Sequence, residues 1–222
     1  MSARSHTLRR GLLFAAALGA LLARPAGAGE PPAAPAPPAA PVPAAAQVPP
    51  PLQPLRMLKA LLKILSMDRA LVMRGDTEMV LAVPWERGQE AQRDALLDVA
   101  RGLEKEITFK QRPLRFVPIP LKASAPAAFR EALLKDNASA ILVPAGISHP
   151  GIEAIAQVAK EEKLHTLAMD ASLVEDWLTV SVVPDEDKMK VVFNANCIRA
   201  AGGLFEVALL KVARIYHRAK EP

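Results

Sequence analysis

The sequence predicts an α/β domain: a mixed, mostly parallel sheet of about six strands, with helices on both faces and an antiparallel hairpin at one edge. Three observations carry that expectation. The apolar runs at 78–83 and 138–144 are too continuous for strands with one wet face, and read as strands buried on both faces. Helical patterns of 10 to 17 residues separate the strand-like runs, which is the layout of crossover connections between parallel strands. Near the C-terminus, residues 180–183 and 190–193 flank the polar turn Pro184-Asp185-Glu186-Asp187, as the arms of an antiparallel hairpin would.

Residues 55–71 come first, with Leu58, Leu61, Leu62 and Leu65, then Ala70 and Leu71, at helical spacing. That apolar stripe is expected to pack on the sheet. After the buried strand at 78–83, residues 90–106 read as helical, 114–121 as extended and 126–135 as helical. The second buried strand, 138–144, leads to a helix over 152–163 and an extended segment over 164–169. The chain closes with Ile198, Ala201, Phe205, Ala208, Leu209, Val212 and Ile215 in an i, i+3, i+4 stripe. Gly202 and Gly203 each cost about 1 kcal/mol relative to Ala inside a helix, so this stripe is expected to form two helical pieces.

Four segments make up the 222 residues. Residues 1–28 read as a secretory signal: Arg9-Arg10 precede an uncharged run from Gly11 to Ala23, and Ala26-Gly27-Ala28 supplies a cleavage site. The run is about 13 residues, short of the roughly 20 that span a bilayer. Residues 29–54 are a Pro/Ala-rich linker with 11 prolines from position 31 to 54, a composition that cannot bury enough surface to fold. Residues 55–217 form the domain and 218–222 a tail. The expected location is the periplasm, with no membrane span after cleavage.

Charge and cysteine usage exclude several function classes. Arg4, Arg9, Arg10 and Arg24 all lie in the signal, which holds no acid, so its removal lowers the formal net charge from +5 to +1. A nucleic-acid partner thereby loses its electrostatic support. Cys197 is the single cysteine, so no intrachain disulfide exists; it reads as a buried apolar side chain, the other reading being an intermolecular bridge. His6, His149, His165 and His217 show no metal-ligand spacing. Gly146 and Gly151 do not build a phosphate-binding loop. No cofactor is expected.

Pro144, Ser148, His149 and Asp170 are the candidate ligand-crevice residues, because they follow strands on the side where α/β sheets bind ligands. Ser148, His149 and Asp170 invite comparison with a catalytic triad, but no G-x-S-x-G turn precedes Ser148. Ser148-His149-Pro150-Gly151 and Asp170-Ala171-Ser172 are equally plain helix starts. The expectation is therefore a protein that is not an enzyme.

The closing block, from Val191, Val192 and Asn194 through Ala200, Gly202, Phe205, Leu209 and Leu210 to Ala213, resembles the YfiR-like periplasmic family. Its opening helix, Leu61-Leu62-Lys63-Ile64-Leu65-Ser66-Met67-Asp68-Arg69, is similar to the family's as well. Asn194, Gly202, Phe205, Leu209, Leu210 and Ala213 read as structural signature residues, Asn194 as a helix cap or turn tie and Gly202 as a point of close packing. The chain departs from the family in having Ala201 where an acid often precedes the first Gly. The resemblance implies a regulator that binds the periplasmic sensory domain of a membrane-bound diguanylate cyclase and restrains cyclic-di-GMP signalling and biofilm formation. A homodimer stays open, and the alternative reading from the strand and helix order is a periplasmic small-ligand-binding module.

Overall fold

A computed structural model describes residues 52–73, 77–186 and 188–217. The expected signal, the linker up to Pro51 and the tail lie outside the described residues. Leu52, Gln53 and Pro54, expected in the linker, instead open helix α1 (Leu52–Leu65), which is followed by the short helix α2 (Arg69–Met73).

The remaining elements are β1 (Met79–Trp85), α3 (Glu90–Glu106), β2 (Thr108–Phe109), β3 (Arg112–Pro120), α4 (Pro126–Lys135), β4 (Ala140–Val143), α5 (His149–Glu162) and β5 (His165–Ala168). A 3₁₀ turn (Ala171–Val174), β6 (Val180–Asp185), β7 (Lys188–Asn194), α6 (Ala195–Ala200), α7 (Val207–Val212) and β8 (Arg214–Tyr216) complete the domain. The strands form one sheet in the order β2-β3-β1-β4-β5-β6-β7-β8. From β3 through β6 all pairs are parallel, whereas β2–β3 and β6–β7 are antiparallel.

Period-2 alternation sends each central strand into two separate cores. Leu81 and Val83 of β1, Ala140 and Leu142 of β4, and Leu167 of β5 face α1 and α3. Ala82, Ile141, Val143 and Ala168 face α4 and α5. Every residue of β4 and β5 is buried; in β4 all four are apolar, which is why that segment reads as an unbroken apolar run, whereas β5 also buries His165 and Thr166. The α1 stripe Leu58, Leu61, Leu62 and Leu65 is at most 3% exposed and closes the first core.

The fold class stands as expected, with eight strands in place of about six. The two additional strands have specific causes. β2 pairs with β3 through Lys110 (φ 51°) and Gln111 (φ 70°), a left-handed turn made without glycine or asparagine, so it carries no sequence signal. β8 runs parallel to β7 and takes the sheet edge, so the β6–β7 hairpin sits one strand inside it.

The opening helix is interrupted where one continuous helix was expected, and the closing block forms two helical pieces as expected. The first breaks after Leu65, because Asp68 turns its carboxylate into the core and accepts the Ala70 N–H at 3.0 Å, which starts α2 afresh. In the closing block, Gly202 adopts φ +70° and ends the first piece, and residues 203–206 are not helical. The stripe therefore splits: Ala201, Phe205 and Leu209 are buried, while Val212 is 72% and Ile215 37% exposed.

Candidate functional site

Reduced to its parallel strands, the sheet order β3-β1-β4-β5-β6 is that of a doubly wound fold whose chain starts in the middle and leaves in both directions. Its switch point lies between β1 and β4, and in such sheets ligands bind beyond the carboxyl ends of the strands at that crevice. Two features lie at this end of the sheet.

The first is a cavity of about 640 Å³ on the α1/α3 face, with Pro144 and Ala145 after β4 and Met169 after β5 at its floor. Gln53, Pro54 and Met57 of α1 form one wall, and Gln92, Ala95, Leu96 and Val99 of α3 the other. Among the described residues the lining is predominantly apolar, with the two glutamine amides as its polar side chains. Size and character match ordinary small-molecule sites, which are mostly apolar with a few orienting polar groups.

The second is a carboxylate across the switch point. Glu86, just past β1, accepts the Ser148 N–H at 2.8 Å and the Ser148 hydroxyl at 2.6 Å. Ser148 in turn caps α5, its Oγ accepting the Gly151 N–H at 3.2 Å. The helix dipole and the unpaired amides of the first turn favour a negative charge at this end, and Glu86 supplies one. Gln89 braces the loop: its Oε1 accepts the Glu86 N–H at 3.3 Å and its Nε2 donates to the Gly146 carbonyl at 2.5 Å.

Of the sequence candidates, Pro144 is buried and lines the cavity. Ser148 belongs to the α5 cap. His149 is exposed, with Nδ1 3.5 Å from Glu153 Oε1 and its ring edge-on to Trp177 at 5.5 Å. Asp170 caps the 3₁₀ turn, accepting the Ser172 N–H at 2.9 Å and hydroxyl at 2.7 Å. Each of the three has its own partner, and no hydrogen bond joins Ser148, His149 and Asp170 to one another. Reading the end of β1 by the rule applied to β4 and β5 would have found Glu86; the cavity walls on α1 and α3 blend into ordinary helix stripes.

The signature residues do structural work. Asn194 caps α6, its Oδ1 accepting the N–H groups of Asn196 and Cys197 at 3.0 and 3.1 Å, while its Nδ2 donates to the Val174 and Glu175 carbonyls. Phe205 packs on Phe193 with ring centroids 4.8 Å apart and on His165 at 5.3 Å. Leu209 is buried, and Leu210 and Ala213 pack against the same core. Close packing falls to Gly203 rather than Gly202: a methyl at Gly203 would lie 2.5 Å from His165 Cε1, whereas one at Gly202 would meet nothing within 4 Å.

Behind Gly203 lies a buried polar clasp. His165 Nε2 sits 2.6 Å from Asp68 Oδ2, and Asp68 Oδ1 also accepts the Leu204 N–H at 2.8 Å. Burial pushes the Asp68 carboxyl up, but the hydrogen bond and charge of His165 and the N–H groups of Leu204 and Ala70 together hold it below its usual range. Among the described residues, no cluster of three or more metal-ligating side chains occurs, and no helix is long and apolar enough to cross a membrane.

No family model and no curated protein matches the sequence. Solved structures do share the fold. A substrate binding protein with adhesive properties from Clostridium difficile, in its ligand-free open form, aligns with TM-score 0.51 at 11% identity over 64% of this chain and 55% of its own. A conserved domain protein from Vibrio cholerae gives 0.51 at 15% identity, over 75% of this chain and 60% of its own. An ABC domain from Streptococcus pneumonia in complex with L-Trp gives 0.52 at 12% identity, over 74% and 62%. The chain thus spans 55 to 62% of the length of these structures, and at such identities the likeness shows the fold alone.

Proposed function

We propose that this domain is an exported small-ligand-binding module. The observation that carries the reading is the apolar cavity of about 640 Å³ at the strand ends beside the β1/β4 switch point, the position where doubly wound sheets hold ligands. The substrate binding protein and the L-Trp complex with the same fold support it by analogy, and the signal-like residues 1–28 support a periplasmic location. A thermal-shift screen against amino acids, nucleotides and envelope metabolites tests it, with Ala95→Trp, which fills the cavity from an exposed helical position, as the control. A raised melting temperature that Ala95→Trp abolishes is expected; a flat response across the panel removes the support.

A second reading follows from the YfiR-like resemblance: a regulator that contacts a membrane-bound diguanylate cyclase. It is favoured by Leu204, Val207 and Val212, apolar side chains of the closing block that are 56%, 67% and 72% exposed. Cyclic-di-GMP measured in a deletion strain tests this reading, and an unchanged level sinks it. Ligand occupancy tuning such a contact would make the two readings one mechanism.

A further inference from the structure

We infer that the ligand of this cavity is a small, uncharged, largely apolar molecule, and that Glu86 is the residue that turns acidic counterparts away. The inference rests on the ligand-binding reading above and adds the ligand's chemical class.

A helix that begins at a switch point is the usual seat for a ligand carboxylate or phosphate, because its first N–H groups lack intrahelical partners. α5 begins there, four residues beyond Ala145 of the cavity floor. Its seat is already taken by the chain itself. Glu86 holds both the N–H and the hydroxyl of Ser148, at 2.8 and 2.6 Å. Gly151 lies against this carboxylate: a methyl there would come 2.5 Å from Glu86 Oε1 and 2.9 Å from Ile147 Cγ2, so a side chain at 151 would push the Glu86 carboxylate aside. A second anion at the same helix end would meet a like charge at short range and find the Ser148 and Gly151 N–H groups already in use.

The cavity offers no compensation. Among the described residues its lining holds no charged side chain, so an ion settling between Met57, Val99 and Met169 would shed water there without gaining a counter-charge. The amides of Gln53 and Gln92 suit a neutral ligand with one or two polar atoms, since each both donates and accepts.

Isothermal titration calorimetry of the full chain with indole and indole-3-acetate, which share a ring system and differ by a carboxylate, tests the inference. Indole is expected to bind at least tenfold more tightly, and Ala95→Trp to abolish its binding. Glu86→Ala is expected to narrow the gap by strengthening indole-3-acetate, with Glu86→Gln, which keeps the shape, narrowing it less. Uptake of the uncharged dye Nile red with both indoles silent also meets the expectation, provided Ala95→Trp removes it. Indole-3-acetate binding as tightly as indole, and losing that binding in Ala95→Trp, overturns the ligand class while leaving the binding reading intact. A gap unchanged in Glu86→Ala overturns the role of Glu86. Silence from both indoles and Nile red overturns the binding reading itself.

Discussion

The carboxylate of Asp68 and the imidazole of His165 meet 2.6 Å apart in the core, at 0% and 1% exposure, and tie the two ends of the domain together. Asp68 stands between α1 and α2; His165 opens β5; the Leu204 N–H that Asp68 also accepts belongs to the closing block. Met67 accepts the Glu206 N–H at 3.3 Å and Leu204 the Arg69 N–H at 3.1 Å, so backbone bonds flank the pair on both sides. The two segments that resemble a family are thus in direct contact, and the contact runs through Asp68. Removing it leaves His165 without this partner in the core and takes the acceptor from the part-buried Leu204 and Ala70 N–H groups. Asp68→Ala is expected to cost about 3–5 kcal/mol in urea unfolding. The double variant with His165→Ala should cost less than the sum of the two singles, because the penalty of an orphaned partner is then counted once.

The same pair predicts an acid limb in stability. Because the folded-state value of Asp68 lies below its ordinary one, the unfolded chain takes up that proton first, and folding is favoured while the carboxylate is ionised. The contribution is fully present above the ordinary carboxylate value of about 3.9 and fades as pH falls through the lower folded value. Urea midpoints measured between about pH 6 and pH 3 should therefore drop more steeply for the wild type than for Asp68→Asn. Parallel profiles would show that other carboxylates govern the acid limb.

How legible was this in the sequence? Elements whose own residues fix them read correctly: α3 and α4 fall where their periodicity puts them, and β1 and β4 announce themselves as apolar runs. What failed depends on partners distant in the chain. Asp68 and His165 are 97 residues apart, and each alone passes for a surface acid or an ordinary histidine. Ile215 continues a helical stripe in sequence, but Ala213 is extended and β8 gains backbone pairing from β7, which outweighs the pattern. At the candidate site, Pro144 was legible because it ends a recognisable strand. Met57 and Leu96 were not, since a residue that lines a cavity and one that fills a core obey the same spacing.

Cys197 is half-buried, its Sγ 3.4 Å from the Trp177 carbonyl, and burial pushes its thiol up to about 11 against a weaker opposing pull from Lys160. Since only the thiolate attacks a disulfide reagent, and its population at pH 8 is roughly two hundredfold below that of a free cysteine of pKa about 8.5, reaction with Ellman's reagent should be at least about tenfold slower once the greater nucleophilicity of a more basic thiolate is allowed for. Denaturation should restore the ordinary rate. Fast reaction in the native protein would place the thiol at the surface and reopen the intermolecular disulfide.

Adjacent glycines in the closing block should fail in different ways. Gly202 needs its left-handed φ of +70° but has open space around it, so Gly202→Ala is expected to cost about 1–2 kcal/mol in backbone strain alone. Gly203 lies against His165, where a methyl would come within 2.5 Å of Cε1 and 3.0 Å of Nε2. That ring cannot retreat without leaving Asp68, so Gly203→Ala costs about 1–3 kcal/mol through overpacking and also disturbs the clasp. A double-mutant cycle separates the two. Gly203→Ala should be strongly non-additive with Asp68→Asn, whereas Gly202→Ala, whose cost is local to its own backbone, should add to it within about 0.5 kcal/mol. Equal behaviour of the two glycines would mean that the clasp does not govern packing at this junction.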